Sequence, residues 1–580
     1  MLRNQPNSPR FDATFGLWVG LLLALVLVPA GPALSLQEPG AGAMDPATGA
    51  LRPPEVPFPH RFGVAHILPR YKPGGRLGPD ILIEGARDAY GLGFRTIKIS
   101  LGEEILLPNT RSYALPPEML SDVQSLVDFA DLEPFRQLFA MPFQTYFINV
   151  DVIGPGSVHD LRAHPPEGAP AVADPPLSEP ARQNIYEQVH QLATHLLTRY
   201  RGSQKVFILQ NHEADWHILP QADMELDPSE TALANLRTYL ELRQQAVNDA
   251  RRQVGATDVY LYHMVEVNLV KKAMQGGRTA TNNVLPHLRC DLVGYSAWDS
   301  NANGQILEAL DYLRSRSQPS FAFGRNNVLI SEHGVAEQKS PERICLALDA
   351  YLQAIVSGVP WAIHWTLYDN ESFATVDGKR VLVDNPDASQ CAGLWVRRPD
   401  GTLGRIFRGY QPYLDPAGLL NPEPTDATAY AAQLYRSTLG REPDPAALAD
   451  AVARIEAQPW AKEELFKRVL ALPEYRERTW GCSAPVVVDA YRVLLGRPPE
   501  SLQAPTLASA ALHTDAGRFA YIDTILQSDE SRRRFIDWLF RRHLGRPPQA
   551  AELDAWLNEL NVGKPRQTVY EVFVAGLPRP

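Results

Sequence analysis

Cysteine is scarce in this chain: Cys290, Cys345, Cys391 and Cys482 are the only four in 580 residues. They form no metal-type cluster, and their spacing leaves open whether any two pair as a disulfide. Basic tracts are missing too. The net charge of −10 is spread along the chain, which argues against nucleic acid or another polyanion as the main partner. A comfortable membrane span is also lacking, because the apolar run from Phe15 to Val28 falls short of the roughly 20 residues that a bilayer core demands.

What stands at the N-terminus instead is an export pattern. Arg3 and Arg10 precede the apolar run, and Ala33-Leu34-Ser35 supplies small residues for cleavage. Residues 1–35 therefore read as a signal peptide, with an uncleaved N-terminal anchor as the alternative, and the protein is expected to be secreted or held at the cell surface. The Pro-, Gly- and Ala-rich stretch 36–56 reads as a flexible lead-in.

From residue 57 onward the chain alternates. Short apolar runs at 62–66, 96–100, 145–150, 206–210, 259–263, 292–296, 328–331 and 362–367 are separated by helix-length segments, among them 179–200, 229–255, 304–315 and 341–357. Such alternation predicts parallel strands with crossover helices, and eight of them suggest closure into a (β/α)8 TIM barrel over 57–412. Two runs end on carboxylates: Val206-Phe207-Ile208-Leu209-Gln210-Asn211-His212-Glu213 and Val328-Leu329-Ile330-Ser331-Glu332-His333-Gly334. On parallel strands both would emerge at the C-terminal rim, where the active sites of such barrels lie. Two facing carboxylates there suffice to cleave a glycosidic bond.

Glutamates after the fourth and seventh strands make the chain resemble glycoside hydrolase clan A. Strand six, Cys290-Asp291-Leu292-Val293-Gly294-Tyr295-Ser296, and strand eight, Ala362-Ile363-His364-Trp365-Thr366-Leu367, add to the resemblance. It implies Glu332 as nucleophile, Tyr295 as its hydrogen-bond partner, Glu213 as general acid/base and Trp365 as a sugar floor. Trp298 and Trp216 offer further apolar faces for pyranose stacking. The clan usually places asparagine directly before the acid/base glutamate; here His212 intervenes between Asn211 and Glu213, as in the branch that includes endo-mannanases. Strand alternation would let Asn211 and Glu213 point together while His212 points away; both Asn211 and His212 are candidate substrate-binding residues, with Trp216, Tyr295, Trp298 and Trp365.

Blander readings compete. A glutamate after a strand is ordinarily a solvated loop residue. His212 and His217 are five residues apart, not the four that share a helical face, so no metal is expected, and no cofactor either. His66, His263 and His364 at strand ends suit core positions as well as substrate contacts. Asp369, Asn370 and Glu371 suit a sugar hydroxyl or a cap.

After a proline-studded linker at 413–427 the pattern becomes helical to residue 580. Leu434-Tyr435-Arg436-Ser437-Thr438-Leu439-Gly440-Arg441, Ala490-Tyr491-Arg492-Val493-Leu494-Leu495-Gly496-Arg497 and Leu539-Phe540-Arg541-Arg542-His543-Leu544-Gly545-Arg546 repeat one another. Each reads as a helix stopped by glycine, and a repeat of about fifty residues implies units that pack together. The first copy resembles the phycobilisome-linker-like helical domain appended to exported bacterial proteins, which implies a partner at the cell surface or in a matrix. The leading expectation is an exported retaining glycoside hydrolase acting on a β-linked poly- or oligosaccharide. The alternative is a non-catalytic carbohydrate-binding or surface protein on the same barrel.

Overall fold

A computed structural model describes residues 42–106, 112–158, 175–255, 257–300, 304–502 and 510–577. The expected signal peptide lies outside them. Eight strands, β1 (Phe62–Ala65), β2 (Thr96–Gly102), β3 (Thr145–Asp151), β4 (Val206–Gln210), β5 (Tyr260–Val267), β6 (Leu292–Ser296), β7 (Val328–His333) and β8 (Ala362–His364), form a closed barrel in chain order. All neighbours are parallel, and β1 closes on β8. The eight apolar runs are these eight strands.

The strands are apolar on both faces because both faces are buried. Ala65, Phe147, Ile208, Met264, Leu292, Leu329 and Ile363 fill the barrel interior. Residues one step out of phase, such as Phe207, Val265, Val293 and Ile330, pack against the outer helices. Those helices include Glu179–Arg199, Glu230–Val254, Ile306–Arg316 and Ile344–Val356. Serine caps start two of them: Ser178 Oγ accepts from Ala181 N and Ser229 Oγ from Ala232 N. A short hairpin, β9 (Phe373–Val376) and β10 (Lys379–Leu382), follows β8 on the rim that carries the site.

The lead-in differs from its expectation as a flexible tether. From residue 42 it is fastened beneath the barrel: Tyr262 Oη donates to Leu51 O at 2.6 Å and Arg251 Nε to Thr48 O at 3.1 Å. These carbonyls satisfy buried side-chain donors of Tyr262 and Arg251.

The stretch expected as a linker is also packed. Tyr413, Leu414 and Leu420 are buried, and Tyr413 Oη donates to Pro485 O. One apolar core runs from the barrel helices into those of 427–526, and a second gathers Phe535, Trp538, Leu539, Leu557 and Phe573. Arg478 and Arg492, both buried, donate to Gly409 O and Pro412 O at 2.7 and 2.9 Å. Cys345 on the Ile344–Val356 helix is disulfide-bonded to Cys482; Cys290 and Cys391 are free and buried. The three repeat glycines share one conformation, with φ of 69° at Gly440, 65° at Gly496 and 68° at Gly545. The arginine after each pairs with a glutamate, Arg441 with Glu474, Arg497 with Glu530 and Arg546 with Glu552.

Candidate active site

Glu213 follows β4 and Glu332 stands within β7, and one hydroxyl joins them. Ser296 Oγ lies 2.7 Å from Glu213 Oε1 and 3.0 Å from Glu332 Oε2. The two carboxylate oxygens are therefore no farther apart than the sum of those lengths. Ser296 is there by strand parity: Leu292 faces the barrel interior while Val293 and Tyr295 face the helices, so Ser296 shares the inner face.

Simple alternation would turn Glu332 outward with Val328 and Ile330. A register shift prevents it. Tyr295 pairs with Ile330, but the next residue, Ser296, pairs with Glu332. The extra residue on β7 re-aims the side chain inward, as bulges beside active sites do.

Beneath Glu332 lies a fully buried ammonium. Lys98 Nζ on β2 donates to Glu332 Oε1 and Glu266 Oε1, both at 2.8 Å, and to Ser331 O at 3.3 Å. Burial opposes its charge, but the two carboxylates outweigh burial and hold its pKa above the usual lysine value. Glu266 on β5 is fully buried as well. Burial pushes its pKa up, yet Lys98 and then His212 bring it below the ordinary range. Its Oε1 also accepts from Gln210 Nε2 at 3.0 Å, and its Oε2 from the backbone N–H of Glu213 at 2.9 Å.

That last bond steadies an unusual backbone. Glu213 has φ 24° and ψ 76°, a region that costs a non-glycine residue about 1–3 kcal/mol unless its surroundings hold it. His217 Nε2 donates to His212 O at 2.6 Å. Asp215 accepts from the backbone of Asn268, Leu269 and Ala280, tying the loop after β4 to that after β5. Burial and then repulsion from Glu332 raise the Glu213 pKa to about 7. A serine hydroxyl has one proton, so it can serve both carboxyls at once only if one is protonated and donates to it. Glu213 is the carboxyl disposed to hold that proton.

The carboxyls open into a cleft of about 510 Å³ lined in part by His212, Trp298, Trp365 and the β9–β10 hairpin. Trp298 Nε1 donates to Glu332 Oε2 at 3.2 Å. The Trp365 ring centre is 5.6 Å from Lys98 Nζ. His212 Nε2 is 3.6 Å from Glu213 Oε2; burial works against its charge, but Glu213, Glu332 and Glu266 together raise its pKa.

Four sequence expectations are corrected by this geometry. Tyr295 does not partner Glu332; its hydroxyl bonds Asp299 among the helices, and Ser296 takes the role. Asn211 does not point with Glu213: its Nδ2 donates to Glu266 O at 3.0 Å and its Oδ1 accepts from Glu266 N at 3.2 Å, extending the β4–β5 pairing. His212, expected to point away, lies beside Glu213 because the strand has ended and alternation no longer applies. Trp216 is half-buried in the 214–217 turn, its N–H on Glu213 O, and is not among the cleft-lining residues. His66, His263 and His364 are core residues bonded to Ile81 O, Gln244 and Tyr410. Asp369 caps the backbone of Glu371, Gly393 and Leu394, while Asn370 and Glu371 line the cleft.

No family model and no curated protein matches the chain. Among solved structures it is similar to GH5_18 from Streptomyces cattleya in complex with GlcNAc, at 15% identity over 69% of this chain and 91% of that one, with a TM-score of 0.36. It is similar to a GH5_18 variant from Bifidobacterium longum subsp. longum in complex with Manβ1-4GlcNAc, at 13% identity over 61% and 78%, with a TM-score of 0.35. A third is a GH5 xyloglucan-specific endo-β-1,4-glucanase from a metagenomic library, in complex with cellotriose, at 12% identity over 55% and 90%, with a TM-score of 0.30. The assignment of the barrel rests on the strand pairing itself.

Proposed function

We propose that this protein is an exported, retaining glycoside hydrolase acting on a β-linked poly- or oligosaccharide. The observation that carries the reading is the Ser296 hydroxyl bridging Glu213 and Glu332. It sets the carboxyls at a spacing compatible with the roughly 5 to 5.5 Å of double displacement, and short of the ~6.5 to 9.5 Å that leaves room for an inverting water. Glu332, with an ammonium on one oxygen and an indole N–H on the other, attacks the anomeric carbon. Glu213 gives its proton to the leaving oxygen, and a glycosyl ester forms on Glu332. Glu213, now ionised, takes a proton from water as that water attacks the ester, which restores both groups. Trp365 and Trp298 offer faces to the pyranose.

Export is supported by the N-terminal pattern, and a disulfide fits an oxidising compartment. The repeats, with their common glycine turn, are proposed to contact a component of the cell surface or matrix. A mechanism-based fluoroglycoside label tests the chemistry. It should accumulate on Glu332, and Glu332→Gln should lose at least about a thousandfold in turnover while keeping its fold. Glu213→Ala should lose far more on poor leaving groups than on activated aryl glycosides, with azide rescuing the second step. Labelling elsewhere, or an active Glu332→Gln protein, would refute the assignment.

A further inference from the structure

The catalytic pair leaves one wall of the cleft unaccounted for, and that wall carries two guanidinium groups beside one carboxylate, Glu371. Arg70, in the loop after β1, and Arg380, on β10, both line it. They sit on joined pieces of chain: Asn385, just past the hairpin, donates its N–H to Arg70 O at 2.7 Å and accepts from Leu77 N at 2.6 Å. Arg70 is 6% exposed. Its Nη1 meets Asp384 Oδ1 only at 3.4 Å, and its buried Nε has no hydrogen-bond partner among the described residues. Beside it, Asn370 Oδ1 is likewise unpartnered. Arg380 is exposed, makes no ion pair among the described residues, and holds its guanidinium 3.4 Å from the centre of the Phe373 ring.

A guanidinium presents five donors and no acceptor, in a fork that matches a carboxylate. A buried one whose ion pair is long and whose Nε is unpartnered keeps donor capacity for a ligand. Neutral sugar hydroxyls would be served by side chains that both donate and accept; two guanidinium groups on one wall select for negative charge. We propose that the sugar bound against this wall carries a carboxylate, so that the substrate is a glycan containing uronic acid. The inference rests on the reading of this cleft as a glycan-cleaving site and names its substrate class. The net charge of −10 disfavours a polyuronate, so the acidic unit is an occasional one in a largely neutral chain.

Carboxyl reduction provides the test, because it converts a uronic acid to its neutral sugar and leaves every linkage in place. A panel of acidic glycans and their carboxyl-reduced forms is assayed for cleavage by the intact protein, and for binding by calorimetry to the Glu332→Gln protein. The acidic form of the preferred glycan should bind roughly tenfold or more tightly, the gap narrowing at high salt. Arg380→Gln, at an exposed position, and Arg70→Lys should each collapse the gap between the two forms. Equal or tighter binding of the reduced forms would overturn the proposal, as would a gap that survives both substitutions. Cleavage of neutral glycans alone would overturn it too, while leaving the hydrolase reading intact. Absence of all cleavage with selective binding of the acidic form would refute the hydrolase reading and retain the carboxylate subsite.

Discussion

Lys98 Nζ lies 2.8 Å from Glu332 Oε1, and neither side chain is more than 3% exposed. An ion pair of this kind is costly to assemble and costlier to break, because removing one partner strands the other charge in a low dielectric. Here the cation has a second carboxylate to hold, Glu266, which in turn holds the backbone of Glu213. Lys98 is thus the common anchor of both carboxyls proposed to act in catalysis.

Lys98→Met should therefore destabilise the barrel by about 3–5 kcal/mol, mostly through Glu266. The double change Lys98→Met with Glu266→Gln should recover much of that, since no buried charge is left unpaired. Activity should not recover in the same way. Without the ammonium, Glu332 loses the donor on its Oε1, and kcat should stay roughly tenfold or more below the parent in both variants. Denaturant unfolding and steady-state kinetics separate the effects; a double variant that recovers parental kcat along with its stability would make Lys98 merely structural.

Glu213 supplies the opposite limb. A carboxyl raised to about 7 is protonated below that pH and can act as an acid, so kcat/KM should fall as pH rises through about 7. The same shift has a stability consequence of definite sign. The folded-state pKa exceeds the unfolded value, so folding favours the protonated form, and a penalty grows as pH rises from the unfolded pKa to the folded one. Glu213→Gln removes it. The variant should be more stable than the parent by on the order of 1–3 kcal/mol at pH 8, with the gain vanishing near pH 4. Equal gains at both pH values would place the effect in packing.

Ser296→Ala tests the shared hydroxyl. Both carboxyls lose one hydrogen bond, which should cost roughly tenfold in kcat. The hydroxyl touches the proton-bearing carboxyl directly, so its loss should move the basic limb. A variant with parental kcat and an unmoved basic limb would show that the bridge has no part in turnover.

The barrel was legible because each strand is buried on two faces and so reads as an apolar run, and the polar helix surfaces between them mark the crossovers. The two glutamates were legible because they end such runs. What failed was the side on which residues point. Tyr295 and Ser296 are adjacent, and only the parity set by Leu292 and Gly294 decides between them. Glu332 breaks its own strand's parity through a bulge that composition does not reveal. Lys98 stands within the run at 96–100, and a lysine in the middle of a buried strand demands a partner; Glu266 in Val265-Glu266-Val267 poses the same demand. Reading those two as a pair would have pointed to the site.

The C-terminal helices provide the last prediction. Sequence suggested that 413–427 is a linker between separable parts, because prolines interrupt the pattern there. In the structure the carbonyls of that stretch are used, by Ser437 at Gly418 O, Arg534 at Leu420 O and Arg542 at Thr425 O, while beside it Arg492 reaches Pro412 O, Arg478 reaches Gly409 O, and Ala484 N donates to the Asp349 side chain. A chain cut after residue 415 would leave Tyr351, Tyr410 and Tyr413 at the edge of an opened core, and Asp349 without its partner. It should be insoluble or inactive when expressed beside active full-length protein. The crosslink should add to the same attachment. Cys345→Ser with Cys482→Ser should cost about 2–4 kcal/mol, as expected for opening a long loop, and reductant should destabilise the parent but not this variant. A soluble, active 42–415 fragment would show instead that the helices are an appendage.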